Sequence, residues 1–300
     1  MDELARNRIL YLTVSGGEPF CREDLPDLLA AAHSRPFQMR INTNATLIGP
    51  AEAGMLARLR PRLVDVMVGL EGPAAETHDR IRGAGSFGAM MRGVRNMLGA
   101  GLLPSFYCTV STANLGMLRE VAGTALELGT TISFNPFVRS GPCLPDDLEL
   151  SPRELRSALE EVHRLAVEIP GRIGGTLLQT WAIVRDVVDG RAPSREGHGH
   201  SCAGCVRRVI VLPDGWVSPC DHFPDLRIGF LPGSTLREVL ESPAAVAFRR
   251  RVEEPLENLE SCRDCRFLPF CPGGCPVVPW DGAGQLGPDP LGCLKVLIDG

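Results

Sequence analysis

Three hundred residues suffice for one large α/β domain plus a smaller appendage, and 44% hydrophobic with 22% charged residues is the balance of a globular protein. The net charge of −5 gives no support for binding nucleic acid or acidic membranes, and the longest apolar stretches, 9–14 and 209–212, are far too short to cross a bilayer. The acidic opening Met1-Asp2-Glu3 lacks the apolar core of a signal peptide, so a cytoplasmic location is expected, and the eleven cysteines are read for metal or redox chemistry rather than disulfides.

From residue 8 to about 136, short β-branched runs alternate with longer amphipathic stretches. Strands are predicted over 9–14, 38–43, 63–70, 103–110 and 131–135, and helices over 24–32, 51–60, 87–98 and 117–128. Alternation of this kind implies parallel strands joined by right-handed crossovers, and in such sheets the ends of the strands carry the site. Ser151-Pro152-Arg153-Glu154 then opens a helix with a capping box, running to about residue 168, and a second helix is predicted over 177–188. Residues 190–199, rich in Gly, Pro, Ser and His, read as a linker, and the remainder as short, turn-rich and dense in cysteine.

The last hundred residues hold Cys202, Cys205, Cys220, Cys262, Cys265, Cys271, Cys275 and Cys293. Eight thiols make two tetrads, the number that tetrahedral zinc or iron sites require. A predicted hairpin, with strands over 206–212 and 216–218 about the Pro213-Asp214-Gly215 turn, brings Cys205 and Cys220 opposite each other. Cys262-x2-Cys265-x5-Cys271-x3-Cys275 lies on loops broken by proline and glycine, whose backbone amides can donate to sulfur. Spacing alone leaves zinc knuckles and iron–sulfur centres both open.

Taken with Gly215 and Cys293, this pattern resembles the SPASM domain, the auxiliary-cluster module of radical S-adenosylmethionine (SAM) enzymes. The resemblance implies two auxiliary [4Fe-4S] clusters, one on Cys202, Cys205, Cys220 and Cys275, the other on Cys262, Cys265, Cys271 and Cys293. Residues 8 to about 140 resemble the radical SAM barrel. Gly16-Gly17-Glu18-Pro19, at the end of the first visible strand, is similar to that family's motif for the SAM amino group. Asn42-Thr43-Asn44 and Gly69-Leu70-Glu71-Gly72-Pro73 end the next two strands, and His78-Asp79-Arg80-Ile81-Arg82-Gly83 follows. By resemblance Thr43 and Asn44 join the SAM site and Arg82 pairs with the SAM carboxylate, for which a guanidinium fork is suited. At position 69 related enzymes usually carry serine, and at 71 often aspartate.

The expected fold class is α/β: a partial (β/α)6 TIM-like barrel missing its first strand and helix, plus the small cysteine-rich domain. The expected division is barrel over 1–140, helical connector over 141–199 and SPASM domain over 200–300. The Cys-x3-Cys-x2-Cys that holds the primary cluster in radical SAM enzymes does not occur among these residues. The function expected by resemblance is radical hydrogen abstraction from a side chain of a peptide or protein, with a 5′-deoxyadenosyl radical as the abstracting species. Asp221, next to Cys220, matches an aspartate that accepts a proton in sulfatase-maturing relatives, and an electron donor such as flavodoxin or ferredoxin is implied. The alternative is a non-catalytic iron–sulfur protein that binds a peptide or relays electrons. Cys21, Cys108 and Cys143 are read as core or loop residues without a role.

Overall fold

The computed structural model describes residues 1–128, 130–138, 148–191, 202–275, 289 and 292–299. Cys143 and residues 192–199 of the predicted linker lie outside them. The chain divides into two compact units, Met1–Phe137 with Ala158–Gln179, and Val138–Ser157 with Thr180–Gly300.

The first unit is a six-stranded, all-parallel sheet in sequential order. After the short helix α1 (Asp2–Arg6), strand β1 (Tyr11–Val14) leads through α2 (Leu25–His33) to β2 (Gln38–Thr43), then α3 (Pro50–Arg58) and β3 (Leu63–Gly69). Helices α4 (Ala75–Arg82) and α5 (Ser86–Gly99) precede β4 (Ser105–Val110), and α6 (Leu118–Glu127) precedes β5 (Ile132–Pro136). Helix α7 (Pro152–Glu168) leads to β6 (Ile173–Gly174), and α8 (Thr176–Val188) follows. The predicted strands and helices are present within a few residues of their expected limits. Two elements of this sheet unit are additional: β6, which makes 131–135 the penultimate strand rather than the last, and α4, whose polar sequence buries only His78 and so lacks an apolar stripe.

Residue spacing explains the layers. In β2, Met39, Ile41 and Thr43 are buried while Gln38 and Arg40 are exposed, the period-two pattern of a strand. In α5, Met90, Gly93, Val94 and Met97 are buried, and in α6, Leu118, Val121, Ala122 and Ala125, the i, i+3, i+4, i+7 stripe. Val68, Phe106 and Phe134 are wholly enclosed, each worth about 1.5–3 kcal/mol of hydrophobic burial. The alternate residues carry polar groups instead: Arg40 Nε lies 3.1 Å from Asp65 Oδ2, and Ser105 Oγ donates to Asp65 at 2.8 Å. The Ser151 capping box forms as predicted, with Ser151 N donating to Glu154 Oε2 at 2.8 Å and Glu154 N to Ser151 Oγ at 3.3 Å.

The second unit contains a small antiparallel sheet of β7 (Ile210–Val211), β8 (Trp216–Ser218) and β9 (Gly229–Phe230). Helices α9 (Leu236–Glu241), α10 (Pro243–Val252) and α11 (Leu294–Asp299) follow, none of them predicted. Val217, Phe223, Ile228, Val239, Phe248 and Val252 form its core with Cys205 and Cys220, and Phe223 meets Phe248 edge-on at 5.7 Å. The strand expected over 206–212 shrinks to two residues. Its first half is a tight turn, in which Ala203 O accepts from the amides of 206, 207 and 208, and Cys205 takes a left-handed φ of 56°. Among the described residues, no helix is long and apolar enough to cross a membrane.

Candidate functional site

At the C-terminal ends of the parallel strands, Glu18 is held by three donors. Its Oε1 accepts from Phe20 N at 3.2 Å and Thr43 Oγ1 at 2.7 Å, and its Oε2 from Asn44 N at 2.7 Å. The structure thus joins Glu18 to Thr43 and Asn44, 25 and 26 positions away in sequence. Pro19 starts a single 3-10 turn after Glu18. Gly16 has φ +150°, and a Cβ added at Gly16 or Gly17 would meet nothing within 4 Å, which leaves room for a ligand against the backbone.

Arg82, at the end of α4, donates through Nε to Glu71 Oε1 at 3.1 Å and also through a terminal nitrogen. Glu71 is fully buried, whereas 36% of the Arg82 side chain stays exposed. Glu71 Oε2 accepts from Thr109 N at 2.8 Å, its carbonyl from Asn114 Nδ2 at 3.0 Å, and its amide donates to His78 Nδ1 at 3.2 Å. Burial, then the nearby Arg82 charge, lowers the His78 pKa to about 4, so its imidazole is neutral. A Cβ at Gly69 would stand 3.2 Å from both an Arg82 terminal nitrogen and the Tyr107 hydroxyl. A side chain at position 69 would therefore press on both groups.

The roles of Tyr107 and Asn114 escape sequence reading. Tyr107 meets Gly69 only through the parallel β3–β4 register, where the two are direct partners. Asn114 follows β4 in a Ser-Thr-Ala-Asn run that signals a turn but not its partner.

In the second unit, Cys262, Cys265, Cys271 and Cys293 line a cavity of about 470 Å³ together with Asp289, Lys295 and Asp299. Burial raises the pKa values of Cys262 and Cys271, and each of these thiols lies within electrostatic reach of Cys293. The Gly273 and Leu294 amides point to the Cys271 sulfur. Cys202, Cys205 and Cys220 form a second group. Burial pushes the Cys205 thiol up to about 11 and raises Cys220, and Cys202 acts electrostatically on both. Gly204 N donates to Cys202 Sγ at 3.3 Å, and the His222 amide to Cys220. Cys275 is positioned by its amide, which donates at 3.0 Å to the buried Asp289. The donor set, four thiols on the wall of one cavity with amides aimed at the Cys271 sulfur, is of the kind an iron–sulfur cluster uses.

Asp221 is exposed in the turn after β8, with Oδ1 3.8 Å from Arg208. Cys21 is exposed in the turn after Glu18, and Cys108 is buried in β4.

Residues 1–124 match the model of the Radical SAM superfamily, and residues 202–266 that of SPASM, an iron–sulfur cluster-binding domain. The chain is 34% identical to the mycofactocin maturase MftC of Mycolicibacterium smegmatis, over 97% of this chain and 72% of that protein. It is 29% identical to the PqqA peptide cyclase of Ruegeria pomeroyi, over 91% and 71%. In fold it is similar to Streptococcus suis SuiB bound to its precursor peptide SuiA, with a TM-score of 0.74 at 16% identity over 92% of this chain and 63% of that one.

Proposed function

The chain belongs to the radical SAM superfamily, in the branch that carries a SPASM iron–sulfur domain, and from that premise we propose that this enzyme modifies a side chain of a peptide or protein. The peptide-modifying names of its relatives support this choice of substrate. When bound, SAM and the clusters supply a carbon radical that takes a hydrogen atom from the substrate and a sink for the electron left behind.

The residues of the chain bind and orient. A carboxylate has about four acceptor sites. Glu18 fills three from within the protein, which fixes its direction and leaves capacity for the SAM ammonium beside Gly16 and Gly17. Thr43 and Asn44 hold Glu18 in that attitude, and Pro19 turns the chain away behind it. Arg82, braced by Glu71, takes the SAM carboxylate on its exposed face. Cys202, Cys205, Cys220 and Cys275 hold one auxiliary [4Fe-4S] cluster, and Cys262, Cys265, Cys271 and Cys293 the other. Asp221 accepts the proton released as the substrate is oxidised, and flavodoxin or ferredoxin delivers electrons in the cytoplasm.

The observation that carries this reading is the cavity with four thiols on its wall, in a chain that also assembles the Glu18 and Arg82 hydrogen-bonded groups. Anaerobic reconstitution with iron and sulfide is expected to load about eight irons, from two clusters of four. Stoichiometric zinc without visible charge-transfer absorbance would overturn it. For Asp221, the Asp221→Asn enzyme carrying a primary cluster is expected to cut SAM normally and lose product formation by ~10²–10⁴. Product at the parent rate would remove Asp221 from the chemistry.

A further inference from the structure

We propose that the Tyr107 hydroxyl is a ligand-binding group of the strand-end site, occupying the space left by glycine at position 69 and donating a hydrogen bond to the carboxylate that Arg82 pairs with. The inference rests on the reading of that site as the SAM site. In the parallel register Tyr107 is the direct partner of Gly69, and its hydroxyl lies 3.2 Å from where a Cβ at 69 would stand. An Arg82 terminal nitrogen lies equally close to that point. A side chain at 69 would press on the present positions of Tyr107 and Arg82, and the hydroxyl at this spot comes from the neighbouring strand.

The surroundings give the hydroxyl a direction. An Arg82 terminal nitrogen and the Tyr107 hydroxyl both lie 3.2 Å from one point, the Cβ position of residue 69, and a guanidinium can only donate, so the phenol proton is not given to Arg82 and is left to give elsewhere. Glu71 already serves Arg82 and Thr109 N, and it is fully buried, whereas Tyr107 is only half-buried. The Glu18 carboxylate is near enough to act on Tyr107 electrostatically. Tyr107 is thus within electrostatic reach of the two groups that would grip the ends of an amino acid: an anion for its ammonium and a cation for its carboxylate. Burial raises the Tyr107 pKa above its ordinary value, which keeps it a neutral donor across the physiological range. A neutral donor beside a guanidinium is the chemistry that favours a carboxylate.

The test is SAM binding by the full chain, measured by equilibrium dialysis with SAM and, separately, with decarboxylated SAM. Tyr107→Phe is expected to raise the SAM Kd about tenfold or more, the loss of one hydrogen bond to a charged group. It is expected to leave the Kd for decarboxylated SAM within about twofold, because that probe has no carboxylate to receive the bond. The Gly69→Ser/Tyr107→Phe double variant should recover most of the affinity, since removing the phenol oxygen makes room for a hydroxyl on residue 69. An unchanged SAM Kd in Tyr107→Phe overturns the proposal. Equal losses for both probes also overturn it, because Tyr107 would then be acting through packing. A parent protein that binds no SAM defeats the reading of the site itself, an outcome distinct from a parent that binds and a variant that binds as well.

Discussion

The strand-end site and the cysteine lobe are built on opposite plans. Glu18 with Thr43 and Asn44, and Glu71 with Arg82 and Asn114, are joined by hydrogen bonds in the protein alone, beside strands packed with Met39, Ile41, Val68 and Phe106. Their geometry is prepaid by the core. The thiols of the lobe satisfy one another hardly at all. Burial raises the pKa values of Cys205, Cys220, Cys262 and Cys271, and Cys262, Cys265, Cys271 and Cys293 line a cavity. A ligand completes the second plan and only uses the first. The same chain therefore holds one site that should be stable without cofactor and one whose stability is coupled to it.

Iron removal should expose this difference most widely. For small metal-dependent domains, metal binding contributes on the order of 10 kcal/mol to folding. Anaerobic chelation is expected to raise amide exchange across residues 202–299 and leave 1–128 near its holo level. Uniform loosening of both regions would break the comparison. Within the lobe, Cys262→Ala should remove about four of eight irons while nearly preserving the stability of the metal-free protein, because the thiol's hydrogen bond with the Ser261 hydroxyl is long, at 3.8 Å, and exposed.

In the sheet unit the costs should appear without any ligand. Glu71→Gln removes the charge opposite Arg82. Breaking a buried pair costs ~3–5 kcal/mol, and the partial exposure of Arg82 places this case near ~3. Urea unfolding of the metal-free protein measures it, and a loss below about 1 kcal/mol would mean that Arg82 is served by water. His78 adds a pH dependence. Its folded pKa of about 4 lies below the ordinary 6.5, so the unfolded chain binds the proton first as acid is added. Its contribution is complete above pH 6.5, falls as pH drops toward 4 and is constant below. A shift of this size is worth about 2–3 kcal/mol. His78→Ala should flatten that part of the stability–pH curve, and an unaltered slope would acquit His78.

The same contrast governs what the sequence reveals. Strands and helices of the sheet unit are legible because their apolar residues repeat at 2 or at 3 and 4 positions, as in β2 and α5. Both thiol groups are legible because cysteine is chemically distinctive and their spacing is short. Elements without a long period escape: β6 and β9 have two residues each, and α4 buries only His78. The strand expected over 206–212 fails because alternation in Val206–Leu212 cannot report the turn that Cys205 makes with φ 56°. The Gly69, Glu71, Arg82, Tyr107 and Asn114 cluster is assembled by register and by buried side chains from three segments, information that no local window contains.

Glu18→Gln should give the smallest effect and the sharpest test of a prepaid site. The carboxylate serves two donors on Oε1, Phe20 N and Thr43 Oγ1, and one on Oε2, Asn44 N. Glutamine keeps one oxygen. Placed at Oε1 it satisfies the first two donors, but its NH2 then faces the Asn44 amide, donor against donor. The reverse flip sets the NH2 against the Phe20 amide and the Thr43 hydroxyl, and only the hydroxyl can rotate to accept. The first arrangement is the cheaper, with one backbone N–H unpaired. Such a donor costs ~1–3 kcal/mol when buried, and the half-buried position of Asn44 lets water recover part of it, so ~1–2 kcal/mol is expected. The loss should be the same in metal-free and iron-loaded protein, because every partner of Glu18 belongs to the chain. Cys262→Ala should behave in the opposite way, nearly silent without metal and costly with it. A Glu18→Gln loss that appears only after iron and SAM are added would show that the ligand, and not the fold, orders this carboxylate.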